Sequence, residues 1–283
     1  MTPDPDTRFR SIAAGLSVTI ACFFAAGESY AQNGPAQNGP PQDSLTIGVG
    51  AGAAPRYIGA DSYVPIPFPY VEYRRGGRTL RSNQFGFEAD LTKGSNFDFG
   101  PVVRIDQGRD DFQDADNAVI EALDDVSAAV EVGGFIATTR PLITREQAPP
   151  ILFTARASVV NAIGGHDGVV VESSIGLIRP SRKWTYVGTV NASYASGAFQ
   201  RAFFSVDEAG AAASGLDQFE AEAGFRDVGV TGVVSYQVSQ KWSVNSVANY
   251  ARLVGDAADS PIVTEEGSAN QLFFGLNVAY RFF

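Results

Sequence analysis

Across 283 residues the chain has one cysteine, one methionine and one histidine. The cysteine, Cys22, lies within an apolar run near the N-terminus. Beyond that run there is no thiol for a disulfide framework, a nucleophile or a zinc site. Nor does any later stretch approach the roughly 20 consecutive apolar residues that a membrane-spanning helix needs. Cations are scarce: 21 Lys and Arg stand against 31 Asp and Glu, a net charge of −10. That balance argues against nucleic acid as a partner. Without spanning helices, what remains is a soluble all-β protein or a membrane β-barrel, the other structure that satisfies every backbone group inside lipid.

The N-terminus reads as an export signal. Arg8 and Arg10 precede apolar and small residues from Ile12 to Gly27, and Ser29-Tyr30-Ala31 supplies a small-x-small cleavage site. Residues 1–31 are therefore expected to be a signal peptide. The lipoprotein alternative, acylation at Cys22, lacks the leucine three places earlier, where Thr19 stands, and Phe23-Phe24 continue the apolar core. Residues 32–43, with Gln-Asn-Gly-Pro twice over, are too polar to bury a core and are expected to form a disordered leader. Structure is expected over 44–283.

From Ser44 onward the chain alternates with period two, as half-buried strands do. Leu45, Ile47, Val49, Ala51 and Ala53 oppose Thr46, Gly48, Gly50 and Gly52. Trp184, Tyr186, Val190 and Tyr194 oppose Thr185, Thr189, Asn191 and Ser193, and Leu272, Phe274, Leu276, Val278, Tyr280 and Phe282 oppose Gln271, Asn277 and Arg281. Trp184, Trp242, Tyr250 and Tyr280 fall toward strand ends on apolar faces, where interfacial aromatic girdles sit. Short turns at Gly76-Gly77, Lys93-Gly94-Ser95, 180–183 and Ser239-Gln240 alternate with long polar stretches over 107–125, 197–217 and 254–269. Short periplasmic turns and longer external loops are the habit of outer-membrane barrels. These features predict a closed antiparallel transmembrane β-barrel in the Gram-negative outer membrane.

Strands are expected near 45–53, 66–74, 79–92, 97–106, 126–139, 150–161, 168–178, 184–195, 227–238, 241–253 and 270–282. That set is odd, whereas a single-chain bacterial barrel closes with an even number, so twelve strands are expected, with ten as the alternative. The fault is expected in 218–226 or at the Pro-rich start around Pro65, Pro67 and Pro69. Asp98, Arg104, Glu131, Arg156 and Glu172 fall opposite the apolar set and are predicted to face the lumen, because a lipid-facing charge near the midplane costs about 2–4 kcal/mol.

No catalytic constellation emerges. His166, in Gly164-Gly165-His166-Asp167-Gly168, has no Gly-x-Ser-x-Gly elbow to serve and reads as part of a tight turn. The acidic run from Asp106 to Asp125 lacks the spacing and the interior glycine of a calcium loop, and reads as a solvated external loop. No cofactor or metal site is expected. The Leu253–Val263 block carries Gly-Asp and Ser-Pro punctuation. Two readings stand level: it shapes a long loop, or Asp256, Asp259 and Ser260 fold into the barrel mouth as a constriction.

The chain resembles the MipA/OmpV family, the MltA-interacting proteins. The resemblance rests on Gly48-Val49-Gly50-Ala51-Gly52, on the Pro-x-Tyr-x-Gly motif at Pro55, Tyr57 and Gly59, and on Pro67–Tyr73. Gly108–Asp110 and Glu131–Gly134 match shorter blocks, and the most specific run is Tyr250–Val263, with Gly255, Asp256, Ser260 and Pro261. The last strand, Tyr280-Arg281-Phe282, completes it. Phe203-Phe204-Ser205-Val206 departs from a Tyr-Phe-Gly-Val run, and Phe283 is one residue beyond the family's ending. The resemblance implies a non-enzymatic scaffold linking a lytic transglycosylase and a murein synthase in peptidoglycan turnover. A small porin or solute channel is the alternative. Tyr280, Phe282 and Phe283 resemble the terminal signal that the outer-membrane assembly machinery reads. The surrounding partners are then outer-membrane lipids, with lipopolysaccharide approached through bridging divalent cations because bare carboxylates repel it.

Overall fold

The computed structural model describes residues 43–83, 85–93, 96–109, 117–145 and 148–283. The expected signal peptide and all but the last residue of the expected leader lie outside these. The first strand starts at Ser44, where the alternation starts.

Thirteen strands form one antiparallel sheet, and the last pairs with the first. They are β1 (Ser44–Pro55), β2 (Tyr63–Pro67), β3 (Tyr70–Arg75), β4 (Arg78–Asn83), β5 (Gly86–Asp90), β6 (Asp98–Asp106), β7 (Ala129–Arg145), β8 (Ala148–Ile163), β9 (Val169–Pro180), β10 (Trp184–Ala195), β11 (Gly224–Gln237), β12 (Trp242–Leu253) and β13 (Asn270–Arg281). Ladders from Thr46 opposite Arg281 to Ala53 opposite Phe274 close the ring. β2 and β3 run in one register along β1, Pro67 opposite Ala51 and Tyr70 opposite Gly48, and Phe68 N–H donates to Gly50 O at 2.9 Å between them. They form one stave interrupted at Phe68-Pro69, so the closed barrel counts twelve strands with β2 as the extra piece.

The expected count of twelve holds, but the missing strand was not where the sequence pointed. Residues 79–92, read as one strand, are the hairpin β4–β5, with Asn83 opposite Gly86. Residues 218–226 supply only the start of β11. The error has a physical source: two five- to six-residue strands joined by a tight turn leave too few residues on each side to display a period of two.

Alternation sorts the wall into two faces. Val49, Ile136, Ile175, Val190, Val230 and Phe274 point outward and are more than half or nearly half exposed to whatever surrounds the barrel. A water-soluble domain rarely leaves so continuous an apolar belt uncovered, whereas hydrocarbon requires it. Trp184, Trp242 and Tyr280 gather at the short-turn end, where the Trp242 and Tyr280 rings lie 4.8 Å apart. Tyr250 marks the opposite end.

The stretches 107–125, 197–217 and 254–269 are not purely polar loops. They hold the short helices α1 (Ala118–Glu121), α2 (Gly197–Phe204), α3 (Glu208–Ser214), α4 (Asp256–Asp259) and α5 (Pro261–Thr264). Helices of one or two turns escape a search for helical period, and they fold back over the mouth instead of extending from it.

Candidate functional site

The mouth is stoppered by aromatic side chains. In α2, Phe199 and Phe203 are four residues apart and share one helix face, and Phe204 lies beside them; all three are buried. Their rings pack in series with His166: His166 edge-on to Phe199 at 4.8 Å, Phe199 tilted on Phe203 at 4.6 Å and Phe203 on Phe204 at 6.4 Å. Below them the inward side chains Val102, Phe135, Val160 and Val170 of β6 to β9 complete one apolar cluster. Burying each phenyl ring is worth about 1.5–3 kcal/mol, so this cork is a substantial part of the fold. The Phe203-Phe204 departure from the family's Tyr-Phe therefore falls in the center of the plug.

Two blocks carrying the family resemblance, far apart in sequence, meet here. Gly59 adopts φ +96°, and a Cβ there would stand 2.9 Å from Val263 Cγ2. Its carbonyl accepts from Ser268 N–H at 2.8 Å, and its N–H donates to Gln271 Oε1 at 3.2 Å. Tyr57 and Ile262 share a cluster with Ile120 and Leu123. Ser260 Oγ donates to Phe204 O at 2.6 Å, and Arg109 Nη1 donates to Phe203 O at 3.1 Å. Of the two readings of 253–263, the mouth is where the block goes, through Ala257, Pro261, Ile262 and Val263, which are buried with Ser260. The aspartates form no constriction: Asp256 caps Glu222 N–H at 2.7 Å and Asp259 is exposed. Pro55 is buried at the end of β1, and Gly255, at φ +57°, turns the chain into α4.

A second obstruction lies deeper in the lumen. Leu152, Ile178, Val187, Val233, Val247 and Phe273 point inward and pack with Ile66 and Phe68. The Phe68 and Phe273 rings meet edge-on at 5.6 Å. Gly275 makes the space, since a Cβ there would come within 2.9 Å of Phe273 and 3.0 Å of Phe68.

Charges line one side of the interior. Arg104, on β6, donates Nε to Glu131 on β7 and Nη1 to both oxygens of Glu172 on β9, at 3.1 and 3.0 Å. Glu172 also accepts from Ser158 Oγ at 3.2 Å. Nearer the short turns, Arg156 Nη2 reaches Glu88 at 2.8 Å, Arg81 pairs with the same carboxylate, and Arg74 meets Glu72 at 2.8 Å. The Arg156 guanidinium also lies 4.3 Å from the Phe135 ring center. On the facing wall, β10 to β13, the polar inward side chains are mostly neutral: Asn245 donates to Asn277 at 2.9 Å and Asn249 to Thr231 at 2.8 Å, with Arg226–Asp227 at 2.7 Å near the mouth.

All five charges expected in the lumen point inward. Arg104, Glu131 and Glu172 form one network and Arg156 joins another; Asp98 stands apart at the short-turn end, 3.4 Å from Thr92 Oγ1. Sequence reading missed Arg81 and Glu88, which are an odd number of positions apart and so fall on opposite faces of a single strand. Across the β4–β5 hairpin they are direct partners on one face.

His166 is buried beside this network, in a turn where Asp167 has φ +48°. Its Nε2 is 3.7 Å from Glu131 Oε1 and 3.9 Å from Asp106 Oδ2, and the three donor atoms lie within 4.8 Å of one another. Gly168 N–H donates to Nδ1 at 3.0 Å. An Nδ1 that accepts leaves the neutral ring's proton on Nε2. The ring therefore aims an N–H, not a lone pair, at two carboxylates. That geometry suits an electrostatic tie between mouth and wall and disfavors a metal bound at Nε2.

Among solved structures, the chain is similar to Pseudomonas putida OprB at 15% identity over 77% of this chain, with a TM-score of 0.39; the match spans 59% of OprB. It is similar to the P. putida toluene transporter TodX at 9% identity over 84% of this chain and 89% of that one, with a TM-score of 0.34. For the monoaromatic hydrocarbon channel CymD the identity is 9% over 85% of this chain and 88% of that one, with a TM-score of 0.39. No curated protein matches the chain. The family model for MltA-interacting protein MipA matches residues 47–282, from the first strand to the last, and the chain belongs to that family.

Proposed function

We propose that this protein is a closed barrel of the Gram-negative outer membrane that acts as a structural partner of murein-turnover proteins, without catalysis or a conducting pore of its own. The observation that carries this reading is the doubly obstructed interior, with the Phe199–Phe203–Phe204 cork at the mouth and the Leu152–Phe273 layer below it. Both are apolar packings, and an ion crossing either would shed its hydration without compensation. The paired Arg104, Glu131 and Glu172 support it further, because charges that satisfy one another form a brace. The family description, MltA-interacting, supports protein partners; a lytic transglycosylase and a murein synthase are the expected ones.

Planar-bilayer recording of the folded chain tests the first half. The membrane is expected to stay electrically silent at both polarities. Discrete conductance steps that respond to Glu131→Gln or Arg156→Gln would establish the channel reading instead. Crosslinking in native membranes tests the second half: recovery of neither enzyme with the barrel correctly folded defeats the scaffold role.

A further inference from the structure

The two ends of the barrel carry opposite charge. Among the described residues, the loop end has bases only at Arg56, Arg109, Arg201, Arg226 and Arg252, amid acidic loops holding Glu121, Asp124, Asp125, Asp207, Glu208 and Asp217. The short-turn end is the reverse. Arg75 and Arg78 flank the β3–β4 turn, Lys93 follows β5, Arg179, Arg182 and Lys183 surround the β9–β10 turn, and Lys241 sits in the β11–β12 turn. These seven come from four of the turns around the rim, and all are exposed. Among the described residues the acids at this end are Asp43, Asp90 and Asp98, and two of them are engaged: Asp43 accepts from Gly76 N–H at 2.8 Å, and Asp90 accepts from Thr92 N–H at 2.9 Å. Arg78, Arg179, Arg182 and Lys183 have no carboxylate partner among the described residues.

The height of this collar on the barrel is fixed by its aromatic neighbors. Lys183 Nζ stands 6.0 Å from the Tyr236 ring center, and Lys241 Nζ stands 5.7 Å from that of Tyr280. Tyr236 packs on Trp184 at 4.4 Å and Tyr280 on Trp242 at 4.8 Å. Trp and Tyr on the outer face of a barrel mark the level where hydrocarbon gives way to headgroups. The lysines therefore sit at the depth of lipid phosphates.

We propose that the short-turn collar, centered on Arg179, Arg182, Lys183 and Lys241, binds the phosphate headgroups of anionic phospholipids in the adjoining leaflet. An acidic chain of net charge −10 would otherwise be repelled by such a leaflet, so the segregation of bases to one rim is what permits the contact. The loop end, being acidic, excludes the same lipids and gives the barrel an electrostatic sidedness. This inference rests on the outer-membrane placement and is independent of the murein partners.

The test uses the full folded chain in phosphatidylcholine vesicles with and without phosphatidylglycerol. Lipid retained after gentle extraction is read by native mass spectrometry, and folding is read separately by heat-modifiable gel migration. The wild type is expected to retain phosphatidylglycerol over phosphatidylcholine and to lose the preference in molar salt. The variant R179Q/R182Q/K183Q/K241Q is expected to migrate as folded while its preference drops at least about tenfold, since each base near an anionic surface contributes about fivefold. Should that variant misfold, R182Q/K183Q, confined to one exposed turn, decides the matter by the same readout. Equal retention of the two lipids by the wild type overturns the proposal, as does a preference that survives the substitutions. Salt-sensitive binding to isolated murein sacculi without any lipid preference also overturns it, and assigns the collar to the cell wall.

Discussion

Replacing Arg104 with methionine isolates the worth of the interior brace. Arg104 is buried, as are its partners Glu131 and Glu172, so water cannot take over the lost contacts without entering the wall. The change removes the pair with Glu131 and both bonds to Glu172, and leaves two carboxylates facing each other across the lumen. Breaking a buried ion pair from one side costs about 3–5 kcal/mol, mostly from the stranded charge. Ser158 remains bonded to Glu172, so the lower end, about 3 kcal/mol, is expected. The triple variant R104M/E131Q/E172Q strands no charge and is expected to recover all but about 1 kcal/mol of the loss. Urea titration of the chain in lipid vesicles, followed through Trp184 and Trp242 fluorescence, measures both. Arg252→Gln is the control; its side chain bonds the exposed Asn270 and its loss stays within about 0.5 kcal/mol. The reasoning fails if R104M lies within 1 kcal/mol of that control, or if the triple variant is no more stable than R104M.

Three other outcomes follow from the same geometry. Phe199→Ala with Phe203→Ala is expected to lower stability by about 3–5 kcal/mol per ring and yet to leave bilayers silent, because the Leu152–Phe273 layer still blocks the lumen; a conducting double variant would show that layer to be no barrier. Deleting Phe282 and Phe283 is expected to abolish folding in heat-modifiable gel assays, since Phe282 N–H donates to Leu45 O at 2.8 Å at the closure between β1 and β13. Deleting residues 32–42, which spares Asp43 and its bond to the β3–β4 turn, is expected to leave migration unchanged, and a folding defect there would assign the leader a structural role.

Legibility differed between wall and mouth for a physical reason. Alternation placed Arg104, Glu131, Arg156 and Glu172 inside because each lies on a strand of nine or more residues, where parity is unambiguous. It failed for Arg81 and Glu88 because parity resets at a turn, and the β4–β5 turn carries little punctuation. The mouth was hidden in another way. Phe199 and Phe203 lie in an eight-residue helix whose apolar face spans little more than one turn, within a segment that otherwise looks like a polar loop. The join between Gly59 and Val263 depends on tertiary closure, which no local pattern records. Buried aliphatic residues, not the aspartates, bring 253–263 to the mouth.

The interrupted stave of β2 and β3 leaves β2, among the described strands, with β1 as its one neighbor and so with an open strand edge. Because Phe68 N–H points to Gly50, the even-numbered residues of β2 direct their amides to β1, and the backbone nitrogens of residues 63, 65 and 67 face the open side. The last two of these are proline. In hydrocarbon each bare N–H costs several kcal/mol, and a proline has none to leave bare. The same ring nitrogens refuse a foreign strand the donors it would need to zip onto the seam. The prolines that looked like a defect in the sequence of strands thus act as a seal, and keep neighboring barrels from joining edge to edge along β2.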